Sequence, residues 1–247
     1  MSNKKEQSLV QNLVSVQSLI SFSKQIGSRY KPALPALNTE KVQQVWEAAR
    51  MAVDGVSTEL TAHQRVVNER REIFKGLSSF TTRIISALEA AQAGEETIKD
   101  ARYLQRKMSG KRAGNTEQPP PAKEGEQPAA PRTISASQAG FDNKVEHFAR
   151  LVMLVIAEPA YKPNETELSA NGLEEKLAAL KQANAAVIDS KTRLDDARTR
   201  RHEVLFHPQT GLVPLAKAMK AYLKSVFGNN SSEYKQVKAL RLRSKKY

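Results

Sequence analysis

Apolar residues recur along this chain at helical spacing, and no stretch requires a strand. Leu9, Leu13, Val16 and Ile20 share one face of a helix predicted over about 8–27. The stretch Tyr30-Lys31-Pro32-Ala33-Leu34-Pro35 ends it, because proline lacks an N–H and disfavours helical geometry at the residue before it. Asn38 and Thr39 then offer caps for a second helix. In that helix Val42, Trp46, Ala49, Val53, Val56, Leu60, His63, Val67, Arg70 and Phe74 alternate in steps of four and three, a heptad seam. About 35 residues at 1.5 Å rise make roughly 50 Å of helix. Propensity alone leaves so long a helix marginal, so it needs partners along its length. A third helix is predicted from about 77 to 92 (Leu77, Phe80, Ile84, Leu88), and a short fourth after Gly94.

The second half repeats this plan. Tyr30-Lys31-Pro32 recurs as Tyr161-Lys162-Pro163, Leu37 as Leu168, and Arg70-Arg71-Glu72 as Arg201-His202-Glu203, all at an offset of 131 residues. An opening helix is predicted over about 140–157 (Val145, Phe148, Leu151, Val152, Val155). The long seam follows at Leu173, Leu177, Leu180, Asn184, Val187, Lys191, Leu194, Arg198, Arg201 and Leu205. After a four-residue insertion around Pro208 to Gly211 come a helix at about 212–227 and a short helix past Gly228. Asn230-Ser231-Ser232-Glu233 has the spacing of a capping box with Asn230 as the cap. A recurring helical unit is an architectural signature and not a chemical one.

Between the copies, residues 110–139 hold five prolines (Pro119, Pro120, Pro121, Pro128, Pro131) and no apolar periodicity. Such a segment buries too little surface to offset its ordering entropy and is expected to be a spacer. The predicted architecture is all-α: a helical bundle in 1–109, a Pro-rich linker in 110–139, and a second bundle with a basic tail in 140–247. The two bundles are expected in tandem, each built on one long helix.

Composition narrows the chemistry. The 247 residues carry 39 Lys and Arg against 26 Asp and Glu, a net charge of +13. The excess is shared, +7 in residues 1–113, +7 in 140–247 and −1 in the residues between, so no single tail carries it. Such a field favours acidic partners. Cysteine is absent, which removes disulfides, thiolate metal sites and thiol nucleophiles together. No long apolar run suggests a membrane span, and a cytoplasmic location is the expectation.

Catalytic motifs are missing: there is no Gly-x-Ser-x-Gly elbow, P-loop or Gly-x-Gly-x-x-Gly. The Glu-x-x-His pattern of di-iron bundles is absent too. Glu59 with His63, and Glu203 with His207, are each four apart and share a helix face. That is thin support for a metal, and no cofactor is expected. Asp195 and Asp196 are adjacent and diverge by about 100°, so they read as a solvated face paired with Lys191 or Arg198. Arg70 and Arg201 stand on the seams. An arginine on an apolar stripe must pair, snorkel or line something. A duplicated ion pair is the structural expectation for them, and an anion or ligand subsite the functional one.

Basic stripes close each repeat. Lys217, Lys220 and Lys224 lie at i, i+3 and i+7 on one helix face, and Lys235, Lys238, Arg241 and Arg243 continue the trend towards Lys245 and Lys246. Lys99, Arg102, Arg106, Lys107, Lys111 and Arg112 occupy the matching place in the first repeat. A basic helix leading into a basic tail is equipped to bind phosphates with strong salt dependence.

Phe141-Asp142-Asn143-Lys144-Val145-Glu146-His147-Phe148, Tyr161-Lys162-Pro163-Asn164-Glu165, Ala197-Arg198, Thr210-Gly211-Leu212, the run Lys220 to Gly228 and Ser232-Glu233-Tyr234-Lys235-Gln236-Val237 together resemble a group of uncharacterised bacterial all-helical proteins. The resemblance covers about residues 141–240. It implies a helical fold and a bacterial origin, and no activity. The first repeat lacks the Val-Phe-Gly and Ser-Glu-Tyr-Lys elements. The expected function is therefore non-enzymatic, a helical interaction or scaffold protein with a protein partner or a second copy of itself. The alternatives are a nucleic-acid-associated protein using the basic helix ends and, more weakly, a small-ligand or metal-binding bundle.

Overall fold

The computed structural model describes residues 2–109 and 140–243, with side chains from Gln7 onward. Among the described residues there is no strand. The helices are α1 (Ser2–Ile26), α2 (Thr39–Phe74), α3 (Leu77–Ala90), α4 (Glu95–Ser109), α5 (Phe141–Ile156), α6 (Ala170–Phe206), α7 (Leu212–Phe227) and α8 (Ser232–Lys238). None is long and apolar enough to cross a membrane. The expected Pro-rich linker, 110–139, lies outside the described residues.

Short 3-10 turns, Pro35–Leu37 and Thr166–Leu168, lead into the two long helices. Each is closed by the tyrosine of its Tyr-Lys-Pro motif. Tyr30 Oη donates to the Leu37 carbonyl at 2.8 Å, and Tyr161 Oη to the Leu168 carbonyl at 2.8 Å. Burial pushes both phenols up to about 12.

The chain forms two compact units, Met1–Gln64 with Ser190–Tyr247, and Arg65–Asp189. This grouping differs from one bundle per half, because each unit draws elements from both halves. The dividing points fall inside α2 and inside α6.

In the first unit Leu13, Val16, Leu19 and Ile20 of α1 meet Val42 and Ala49 of α2 and Leu205 of α6. Leu212, Leu215, Met219 and Leu223 of α7 join them, with Tyr234 and Val237 of α8. The single tryptophan ties α2 to α1: Trp46 Nε1 donates to the Leu13 carbonyl at 2.8 Å. Farther along, His63 Nδ1 lies 2.9 Å from Oγ of the fully buried Ser190, and Glu59 pairs with Arg193 at 3.7 Å. The polar interruption at His63 thus has a polar partner on α6.

In the second unit Phe74, Leu77, Ile84 and Leu88 pack with Ala101 and Met108 of α4. Val145, Phe148, Leu151 and Val155 of α5 face them, with Leu168, Leu173 and Leu180. Gly76, at φ +79°, lets the chain leave α2 and start α3 at once. At Gly172 a Cβ would sit 2.3 Å from the Thr166 carbonyl oxygen, so only glycine lets the first turn of α6 press on the 3-10 turn. Asn184 is buried, and its Nδ2 donates to Asp142 Oδ1 at 2.8 Å.

The seam of α2 holds: Val42, Ala49, Val56 and Phe74 are buried and the positions between them are half-buried. The seam of α6 does not run as expected. Lys191 and Arg198 are exposed, while Ser190 and Leu194 are buried. The interruption is local to these two cations, because Leu194 and Leu205 on the same seam are buried. The cap of α8 also moves. Ser231, not Asn230, accepts from the Tyr234 N–H at 3.0 Å.

Candidate anion-binding surface

The C-terminal basic residues all belong to the first unit, on α7, α8 and residues 240–243. Lys217 and Lys224 of α7 are exposed, as are Lys235 and Lys238 of α8. Lys220 has a different role. It is half-buried, and its Nζ donates to the Lys238 carbonyl at 3.0 Å and the Leu240 carbonyl at 2.8 Å. The Lys238 carbonyl ends α8 and the Leu240 carbonyl lies just past it, where no helical N–H follows to take them. Burial holds the Lys220 ammonium below its ordinary pKa.

Past α8 the chain alternates. Leu240 and Leu242 pack on the core, and Arg241 and Arg243 are exposed. Helix α1 fixes this segment through its backbone. Asn12 Nδ2 donates to the Arg243 carbonyl at 3.0 Å, and the Arg243 N–H donates to Asn12 Oδ1 at 2.8 Å. Ser15 Oγ donates to the Arg241 carbonyl at 3.0 Å. Asn12 and Ser15 are buried, so their polar atoms need these partners. Beside Leu13 and Val16 on α1, Asn12 and Ser15 carry no local sign of this role. Their distance along the chain from Arg243 hides their purpose.

Counter-charge is scarce here. From Val204 to Arg243 the chain has one carboxylate, Glu233. Arg29 takes it at 3.2 Å while stacking 4.5 Å over the Phe227 ring. Hydrogen bonds from its own backbone N–H, Ser232 and Arg29 keep the Glu233 carboxyl below the usual range. Lys224, Lys235, Lys238, Arg241 and Arg243 form no ion pair among the described residues.

The matching end of the first repeat, in the second unit, is arranged otherwise. Arg83 pairs with Glu167, Lys99 with Glu96 and Arg102 with Glu89, each at 2.7 Å. Lys107 lies 5.4 Å over the Tyr103 ring. Arg106 is exposed and forms no ion pair among the described residues, and Lys111 and Arg112 lie outside the described residues, as do Lys245 and Lys246.

The two seam arginines lie in different units. Arg70, in the second unit, is half-buried with its guanidinium 4.0 Å over the Phe141 ring. Phe141 in turn meets Phe74 edge to face at 4.8 Å. The expected partner, Glu72, pairs with Lys75 at 3.2 Å instead. An aromatic face thus replaces the ion pair at Arg70, since a ring attracts a cation without bringing a second charge out of water. Arg201 is half-buried in the first unit.

The two Glu/His pairs have other occupations. Glu59 and His63 bond to Arg193 and Ser190 as above. His207 Nδ1 accepts from the Gln209 and Thr210 N–H groups at 3.3 Å, which shapes the stop of α6. Asp195 bonds to both Lys191 and Arg198, as a solvated face would. No group of three or more metal-ligand side chains forms among the described residues. Compared with known proteins, the chain matches no family model, no curated protein and no solved structure.

Proposed function

We propose that this chain is a non-enzymatic interaction protein built by internal duplication of a helical unit, and that its working surface is the cationic face of α7, α8 and residues 240–243. The partner is nucleic acid, held by its phosphates. The duplication is supported by the recurrence of the Tyr–Leu hydrogen bond at one offset in sequence.

One observation carries the functional reading. Five exposed cations in the first unit have no carboxylate partner among the described residues, whereas in the second unit Arg83, Lys99 and Arg102 each pair with one. Clustered unpaired cations repel one another, and a polyanion relieves that repulsion while releasing its counterions.

The test is a titration of duplex DNA and of single-stranded RNA across a salt series. Submicromolar binding is expected at low salt, with log K falling against log salt by about 0.9 per phosphate engaged on a duplex. Replacing Lys224, Lys235 and Lys238 with Gln should flatten that slope by up to about 2.7. Absence of binding to both nucleic acids at about 50 mM salt removes the proposal.

A further inference from the structure

The two units differ at one position in a way that leaves a shaped vacancy. Helices α3 and α7 share a burial pattern at an offset of 135 residues: Leu77, Thr81, Ile84 and Leu88 are buried, as are Leu212, Ala216, Met219 and Leu223. By that register Ala87 stands where the first unit has Tyr222. In the first unit Tyr222 does two things. Its ring meets Tyr30 edge to face at 5.2 Å, and its Oη accepts from the Lys31 N–H at 3.0 Å. Tyr30 and Lys31 correspond to Tyr161 and Lys162.

In the second unit both interactions are missing. Among the described residues Tyr161 has no ring partner, and the Lys162 N–H has no acceptor. Tyr161 is half-buried where Tyr30 is buried. A cleft of about 580 Å³ opens beside Lys162, the residue after Tyr161, and is lined by Ala87, Ala90, Lys162 and Leu168 together with Arg83 and Glu165, among others. That volume lies within the range of small-ligand sites. Ala87, Ala90 and Ala91 give the cleft small lining side chains, and Lys162, whose N–H has no acceptor among the described residues, lines it too. The structure already contains the group that fits this arrangement, in the phenol of Tyr222.

We propose that this cleft is a binding site for a small para-substituted phenol. Its ring would take the place of the Tyr222 ring against Tyr161, and its hydroxyl would accept the Lys162 N–H. The site is independent of the cationic surface, which lies in the other unit.

The probe is 4-methylphenol, titrated into the full chain with assigned backbone amide resonances. Saturable shifts are expected at Ala87, Tyr161 and Lys162, with a dissociation constant on the order of 1 mM for so small a ligand. Toluene, which lacks the hydroxyl, should bind at least about tenfold more weakly, the value of one hydrogen bond. Ala87→Tyr should fill the cleft from within and abolish the shifts at Lys162. Tyr222→Ala should create a second site whose shifts appear at Tyr30 and Lys31, which keeps the test sound if Ala87→Tyr fails to fold. Unsaturable or absent shifts in the wild-type chain overturn the proposal, as does equal binding of toluene or unchanged binding to a folded Ala87→Tyr variant.

Discussion

At the scale of the residue, the clearest consequence belongs to the two motif tyrosines. Both donate to a leucine carbonyl seven residues on, and burial pushes each phenol up to about 12 from an ordinary value of 10.0. For Tyr161 the Glu165 carboxylate adds to the effect, and for Tyr30 the Ser23 hydroxyl opposes it. A phenol whose folded pKa is raised binds its proton more tightly in the folded state. Its stabilisation is complete below the unfolded pKa and is lost as pH rises from about 10 towards about 12. Absorbance titration of the six tyrosines should therefore show two late components, with unfolding setting in over that window. Tyr30→Phe and Tyr161→Phe should each remove one. Titration of all six together near 10 in a folded chain would contradict this packing. The tyrosines were legible in sequence as a recurring motif. Arg70 was legible only by half, because its place on the seam flagged it but its partner, Phe141, is far along the chain. Its neighbour Glu72 drew the expectation of an ion pair that the helix turns the other way.

At the scale of the element, caps and breakers made the helices readable. Pro32 and Pro35 separate α1 from α2, Gly76 separates α2 from α3, and Gly228 ends α7, so predicted and observed ends agree closely. The length of α8 was not readable. It spans 7 residues, whereas α4, at the corresponding place, spans 15. A difference beneath them accounts for this: the α7 position matching Ile85 of α3 is Lys220. Ile85 is buried in the core that α4 completes. Lys220 instead donates to the Lys238 and Leu240 carbonyls, which a continuing helix would have paired with its own N–H groups. The chain past α8 is thereby freed to run extended and be taken up by Asn12 and Ser15. This gives α1 a share in the cationic surface without contributing charge to it. Asn12→Leu leaves the net charge at its original value but strands the Arg243 N–H and carbonyl, at a cost of about 1–3 kcal/mol. If Arg241 and Arg243 then detach, the salt slope of nucleic-acid binding should flatten by up to about 1.8. Limited proteolysis should show earlier cleavage after Lys238. An unchanged slope together with unchanged proteolysis would mean that α1 does not position these arginines.

At the scale of the whole molecule, the helices were legible and their grouping was not. The two halves carry similar apolar faces, so closing each half on itself and exchanging elements between halves bury nearly the same residues. The hydrophobic pattern cannot separate the two outcomes, because it records which face is buried and not which copy supplies the cover. In the structure the cover is exchanged. α1 and the start of α2 are completed by the end of α6, α7 and α8, and the end of α2, α3 and α4 by α5 and the start of α6. Each half alone therefore holds two incomplete cores. Leu13, Val16 and Ile20 would lose the α7 leucines, and Ile84 and Leu88 would lose Phe148 and Leu151. Large apolar side chains left uncovered in this way cost about 1.5–3 kcal/mol each, so a few exceed the stability of an ordinary domain. Residues 1–109 and 140–247, produced separately, should show shallow, non-cooperative urea transitions by circular dichroism. Trp46 emission in 1–109 should be red-shifted, because the packing around its bond to Leu13 loses α7. Mixing the two pieces should restore a single cooperative transition and a 1:1 complex by light scattering. A monomeric, cooperatively folding 1–109 would instead restore the arrangement of one bundle per half, and the exchanged cores would have to be abandoned.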